Sequence, residues 1–297
     1  MISVVGHTTT DHLFTVPELV AKNHSTFITA HKVFYGGGAA NIAVGIAMLG
    51  GTAELVTAVG GDFAGSEYDH WLASLGVHRR FFVEPEMHSS TCYLFNDGTD
   101  DQITYFEWGA SEVLNDAEAP VLGQVHLAPA EPNFCVRVVE KAAWVSFDPG
   151  QDLVRFSREQ IAAILPRTDL LFVNRHEAER ICAIGGFSPD DLIAMVPQVV
   201  ITQSADGSLF YRDGEEIHVP SIPVTRVDPT GAGDAFRAGF LTAQKRGYDA
   251  VTALEVGTTT ASFVVEKAGC QTNLPDWERM AARYRMHFGA LPPVSRP

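Results

Sequence analysis

From about residue 120 onward, short apolar runs alternate with helical periods, and few folds accept that pattern. Apolar runs at 125–128, 144–148, 170–174 and 198–203 have the length of buried strands. Helical spacing occupies 157–165, 176–184 and 190–196 between the later ones. Strands separated by helical crossovers run parallel, because each crossover returns the chain to the same end of the sheet, and the helices then cover both faces. Met1 to Gly6 (MISVVG) and Ala53 to Ala58 add strands of the same kind, and Ile42 to Gly51 reads as a helix so apolar that it must be buried on all sides. Ser208–Arg212 and Glu216–Val219, joined by Asp213-Gly214, read as a hairpin, and helices are expected at about 233–245, 250–267 and 276–285. The expected fold is α/β, with a central, mostly parallel sheet between two helical layers.

Residues 88–110 differ in character. Thr91–Phe95 and Gln102–Trp108 are strand-like, with the turn signal Asn96-Asp97-Gly98 between them. Paired with 13–35, this hairpin would form a small β lid inserted in a single domain spanning 1–297. Strand alternation places Phe106 and Trp108 on one lid face and Tyr105 on the other. An aromatic facing a pocket suits a nucleobase, whereas one packing the lid onto the body is purely structural; both readings fit Phe106. The segment holds Asp97, Asp100, Asp101 and Glu107 but no Lys or Arg, which favours a neutral acceptor over a phosphosugar. An exposed lid sheet also calls for a covering partner, which implies a homodimer through the lid.

Bulk properties exclude several classes. A net charge of −15, from 21 basic and 36 acidic residues, argues against nucleic acid or an anionic membrane as partner. Ile42–Gly51 is too short to span a bilayer, and no basic-then-apolar leader opens the chain. Cys92, Cys135, Cys182 and Cys270 lack C-x-x-C spacing, so neither a zinc site nor a disulfide framework is expected, and a cytoplasmic location is.

The chemistry concentrates at Asp228-Pro229-Thr230-Gly231-Ala232-Gly233-Asp234. A small-residue turn at a helix start presents N–H groups without intrahelical partners and favours negative charge. Asp234, in the first turn, is either an ordinary helix-start carboxylate or the group that meets a hydroxyl beside a bound phosphate. There is no Gly-Lys-Ser/Thr and no strand-linked G-x-G-x-x-G with a distal acid, so neither a Walker loop nor a dinucleotide fold is indicated.

Asp228–Asp234 with Ala235-Phe236 resembles the C-terminal signature of the ribokinase (PfkB-like) family of sugar and nucleoside kinases. Gly37-Gly38-Ala39-Ala40-Asn41 resembles its N-terminal signature; Asn41 alone reads as a helix cap, and Asp11 beside it favours a role in the site. Asn174-Arg175-His176-Glu177 resembles the family's Asn-x-x-Glu element. Thr202-Gln203-Ser204-Ala205-Asp206-Gly207 resembles its phosphate-lining turn, with Ser204 replacing the usual first glycine. Thr10-Asp11-His12-Leu13, Asp101–Phe106, Asp148-Pro149-Gly150-Gln151 and Asp234–Leu241 look most like bacterial adenosine kinases and archaeal nucleoside kinases. Cys92 departs from the bacterial enzymes, which place an aromatic there.

The resemblance implies a ribokinase-like fold and ATP-dependent phosphorylation of a nucleoside 5′-hydroxyl, with adenosine first and inosine, guanosine or cytidine as alternatives. It assigns the acceptor site to Asp11, Gly37, Asn41 and Phe106, and the base to Asp234 beside the amides of Gly231, Ala232 and Gly233. Asn174, Thr202, Ser204, Gly207 and Thr230 would hold ATP, and Glu177 would hold Mg2+ through water, with a monovalent cation also compatible. A helix-start carboxylate has a lowered pKa, so a late proton transfer to Asp234 is expected. Two rivals stand beside this reading. One is a ribose or hexose kinase with the same machinery, and the other a non-catalytic nucleotide sensor, which would be expected to lack Asp11 or Asp234.

Overall fold

The computed structural model describes residues 1–98 and 102–294. The strands are β1 Ile2–Val5, β2 Thr9–Thr15, β3 Ala30–Gly36, β4 Ala53–Gly60, β5 His78–Glu84, β6 Ser90–Asn96, β7 Gln102–Glu107, β8 Leu122–Leu127, β9 Ala142–Phe147, β10 Leu170–Asn174, β11 Gln198–Thr202, β12 Ser208–Arg212 and β13 Glu215–Val219. The α-helices are α1 Gly38–Met48, α2 Glu67–Ser74, α3 Pro132–Lys141, α4 Arg158–Ile164, α5 Arg175–Gly185, α6 Pro189–Met195, α7 Ala232–Lys245, α8 Ala250–Val264 and α9 Trp277–Phe288.

Nine strands form the main sheet in the order β13-β12-β11-β10-β9-β8-β1-β4-β5. Every neighbouring pair from β11 to β5 is parallel, and the β12–β13 hairpin closes one edge antiparallel. Alternation along each strand sorts the side chains between two cores. Val4, Leu55, Phe172 and Val200 pack with α1, α2, α7, α8 and α9, while Val5, Val56, Val173 and Val199 pack with α3, α4, α5 and α6. The expected all-apolar helix is α1, buried from Ala39 through Ile46.

The lid is a second sheet in the order β3-β2-β6-β7. Its centre is the parallel pair β2–β6, flanked by the antiparallel pairs β2–β3 and β6–β7. The lid strands reach back to Thr9, ahead of the expected 13–35, so Asp11 lies within strand β2 of the lid. Thr99, Asp100 and Asp101 of the lid lie outside the described residues.

Two elements escape the sequence pattern. Strand β5 is an edge strand that opens with exposed His78, Arg79 and Arg80, so its apolar alternation is weak. Helix α3 is short, but Glu131 caps it by accepting from the Phe134 N–H, and Pro132 sits in its first turn, where a missing donor costs nothing. All four cysteines are buried and unbridged. No helix among the described residues is long and apolar enough to cross a membrane.

Phe134 anchors α3, fully buried and edge-on to Phe82 at 5.5 Å. Phe134→Ala is expected to lower unfolding stability by about 3–5 kcal/mol in urea titration. A loss below about 1 kcal/mol would mean that α3 is not held by this ring.

Candidate active site

Helix α7 begins on a glycine that only glycine can be. Gly231 has φ +80°, and a Cβ there would lie 2.7 Å from the Cβ of Cys270. Asp228 shapes the approach by accepting from the N–H of Thr230 (2.9 Å) and of Gly269 (3.1 Å). The Ala232 N–H is already donated to the Pro229 carbonyl at 3.1 Å. The N–H groups of Gly231 and Gly233 have no hydrogen-bond partner among the described residues, so the anion-binding capacity of the turn rests on them.

Asp234 follows in the first turn, and a long-range contact fixes it. Asn41 Nδ2 donates to Asp234 Oδ2 at 2.8 Å across 193 positions of sequence. Asn41 is therefore not the cap of α1; Gly37 holds that position, and the amide points away from the helix end. Gln271 Nε2 donates to Asn41 Oδ1 (2.9 Å) and to the Tyr68 hydroxyl (2.7 Å), which in turn donates to the Gly36 carbonyl (2.8 Å). One chain of hydrogen bonds thus runs from the carboxylate on α7 to the edge of the lid.

At that edge lies Asp11, buried and held by the Thr9 hydroxyl, which donates to Oδ1 at 2.5 Å. A Cβ on Gly36 would lie 2.0 Å from Asp11 Oδ2, so the neighbouring strand must lack a side chain for the carboxylate to fit. Asp11, Gly37, Asn41, Phe106, Glu177, Thr230, Gly231, Gly233 and Asp234 line one cleft of about 270 Å³. Phe106 projects into it from the lid beside Cys92, Leu94 and Thr104, while Tyr105 is turned to solvent.

Asn174, Thr202, Ser204 and Gly207 are not among the residues that line this cleft; they sit at the carboxyl ends of β10 and β11 and in the turn that follows. Asn174 and Glu177 form a reciprocal helix cap: Asn174 Oδ1 accepts from the Glu177 N–H, and Glu177 Oε2 from the Asn174 N–H, both at 2.8 Å. Ser204 has φ +52°, so the serine keeps the backbone turn that a glycine would adopt there.

Three groups were given no individual role from the sequence. Asp148, buried at the end of β9, pairs with Arg237 of α7 at 2.7 Å, and both line the cleft. Arg237 is an arginine inside an apolar helix, three positions past Asp234, which is the signal that could have exposed it. His7, wholly buried after β1, bonds Asp152 (2.7 Å) and Ser111 (2.9 Å), and its ring lies against Phe106 and Trp108. That cluster ties the base of the lid to the body.

Electrostatics correct one expectation. Asp234 titrates above the usual aspartate range: loss of solvent outweighs the opposing pull of Arg237 and of the Asn41 amide, and Glu177 adds to the rise. Burial, not the helix terminus, decides its basicity. Burial also lifts Asp11 to about 7, against the Thr9 hydroxyl and reinforced by Asp234 and Asp228. Asp148 rises for the same reason, opposed by Arg237.

Residues 1–277 match the family model of the pfkB family carbohydrate kinases. The chain is 40% identical to a nucleoside kinase of Methanocaldococcus jannaschii over 96% of its length and 97% of the relative's. The crystal structure of that kinase superposes with a TM-score of 0.90, covering 96% and 98% of the two chains at 39% identity. A nucleoside kinase of Burkholderia thailandensis, solved in complex with inosine, superposes with a TM-score of 0.89 at 26% identity, covering 98% and 100%. The fold is ribokinase-like, and with such likeness along nearly its whole length the chain belongs to the pfkB family of carbohydrate kinases, phosphotransferases that act on an alcohol acceptor.

Proposed function

We propose that this protein transfers the γ-phosphoryl group of ATP to the 5′-hydroxyl of a nucleoside. The observation that carries the reading is the convergence of Asp11, Asn41 and Phe106 with Asp234 and its anion-binding turn in one cleft. Two archaeal nucleoside kinases at 40% identity support the nucleoside class, and the Burkholderia enzyme bound to inosine supports a purine nucleoside. Adenosine remains the first nucleoside to test, with inosine, guanosine and cytidine beside it.

In this mechanism Asp11 accepts from ribose hydroxyls, the second Nδ2 hydrogen of Asn41 and the Gly37 backbone add contacts, and Phe106 stacks on the base. The 5′-oxygen attacks the γ-phosphorus, the bond to ADP breaks, and the hydroxyl proton passes to Asp234. The raised pKa of Asp234 brings it closer to that of an efficient base at neutral pH. Gly231 and Gly233 amides face the transferring charge, with Thr230 alongside. Positioning and charge stabilisation do most of the work in a loose transition state.

Asn174, Thr202, Ser204 and Gly207 are assigned to ATP, at the carboxyl ends of two parallel strands, where open α/β sheets bind ligands. No cluster of three or more His, Cys, Asp or Glu among the described residues could hold a metal unaided. Glu177 faces the cleft with Oε2 tied to the Asn174 N–H, which suits water-bridged contact with phosphate-bound Mg2+. When bound, Mg2+ would neutralise phosphate charge. The outward lid face carries Phe14 and Phe95 stacked at 4.9 Å, with Val33 and Tyr105 exposed, which supports a homodimer through the lid.

The test is a panel of nucleosides and sugars scored by ATP consumption; ribose preferred over every nucleoside would end this reading. Asp234→Asn is expected to leave nucleoside binding measurable and to lower kcat by about 10²-fold or more, and near-normal turnover would remove Asp234 from the mechanism. Because Asp11 titrates near 7, its accepting carboxylate is present above that pH and lost below it. The kcat/KM for nucleoside should therefore fall through pH 7 towards about tenfold per unit below it. A flat profile from pH 8 to pH 6 would contradict Asp11 as the ribose acceptor.

A further inference from the structure

We propose that Arg237 is a catalytic residue, its guanidinium contacting the phosphoryl group in transfer beside the amides of Gly231 and Gly233. The inference rests on the phosphoryl-transfer role given above to the turn before α7. Among the described residues that line the cleft are four carboxylates, Asp11, Asp148, Glu177 and Asp234, and one cationic side chain, Arg237. A polyphosphate entering such a field meets repulsion from every side but one.

The geometry places that cation at the turn. A Cβ on Gly233 would lie 2.4 Å from Arg237 Nη1, so the guanidinium sits directly over the start of α7 and depends on the missing side chain. Arg237 is 8% exposed, and its Cζ lies 5.9 Å from the centre of the Phe172 ring. Asp148 Oδ2 is 2.7 Å from Nε, yet the Nε–H has no hydrogen-bond partner among the described residues, so the two groups are adjacent without being aligned. A pair built only for mutual neutralisation would align its N–H with the carboxylate. Asp148 instead restrains the guanidinium from one side and leaves Nη1 over the turn. A planar fork fixed before the reaction suits the transition state, whose charge spreads over three equatorial oxygens.

The test compares Arg237→Gln, Arg237→Lys and the double variant Asp148→Asn/Arg237→Gln with the parent protein. Each is assayed on whichever acceptor the parent phosphorylates, so the outcome for Arg237 does not depend on which nucleoside or sugar that is. A parent inactive on the whole panel would sink the kinase reading before any variant is made. For Arg237→Gln, kcat should fall by about 10²-fold or more while acceptor affinity by calorimetry changes by less than roughly threefold. Affinity for ADP with aluminium fluoride should fall in step with kcat, and Arg237→Lys should recover part of both. The double variant removes both charges, so it remains testable where the single variant fails to fold, and it should stay as slow as Arg237→Gln. Turnover of Arg237→Gln within roughly threefold of the parent, or full recovery in the double variant, would reduce Arg237 to a counterion of Asp148 and overturn the proposal.

Discussion

The hydrogen bond from Asn41 to Asp234 joins the two halves of the molecule at the point where both matter. It connects the first turn of α1 with the first turn of α7, two helices that lie in the same core. A buried amide and a half-buried carboxylate both lose stability when left without partners. Together they satisfy one another only if both helices start at the right place. The orientation of Gly231, the cap at Gly37 and the placing of Gln271 and Tyr68 all follow from that requirement. Folding and site assembly are therefore one event in this region.

The charge arrangement follows a second constraint. Asp11, Asp148 and Asp234 have each lost water, and each holds its proton more firmly as a result. Thr9, Asn41 and Arg237 offset part of that cost without removing it. A group kept at the edge of protonation is poorly suited to a structural ion pair and well suited to exchanging a proton with a hydroxyl. The chain as a whole is acidic, at −15, so the attraction for phosphate has to be local.

Much of the fold was legible in the sequence because parallel strands buried on both faces read as continuous apolar runs, and 170–174 appears in the structure with those bounds. Strand β5 was not legible, since one charged edge is enough to break the alternation. The site divides along similar lines. Asp234 and its glycines form a local motif, and local motifs survive as strings of letters. The partnership of Gly36 with Asp11 does not, because it exists only once two lid strands pair in register. The same holds for Arg237, a helix residue whose neighbour Asp148 arrives from the end of a strand, and for the basicity of Asp234, which burial sets against the helix terminus.

The lid strand β2 continues from β1 through His7 and Thr8, so the cleft-facing lid surface is a direct outgrowth of the main sheet's interior. The two buried cores nevertheless include no residue of β2, β6 or β7. Cleft-facing lid positions such as Cys92, Thr104 and Phe106 can be exchanged without opening a cavity in either core. Such an architecture separates the lid side of the cleft from the packing that holds the main sheet together. The cleft's shape on that side is then set by the inner face of four strands, independently of either core.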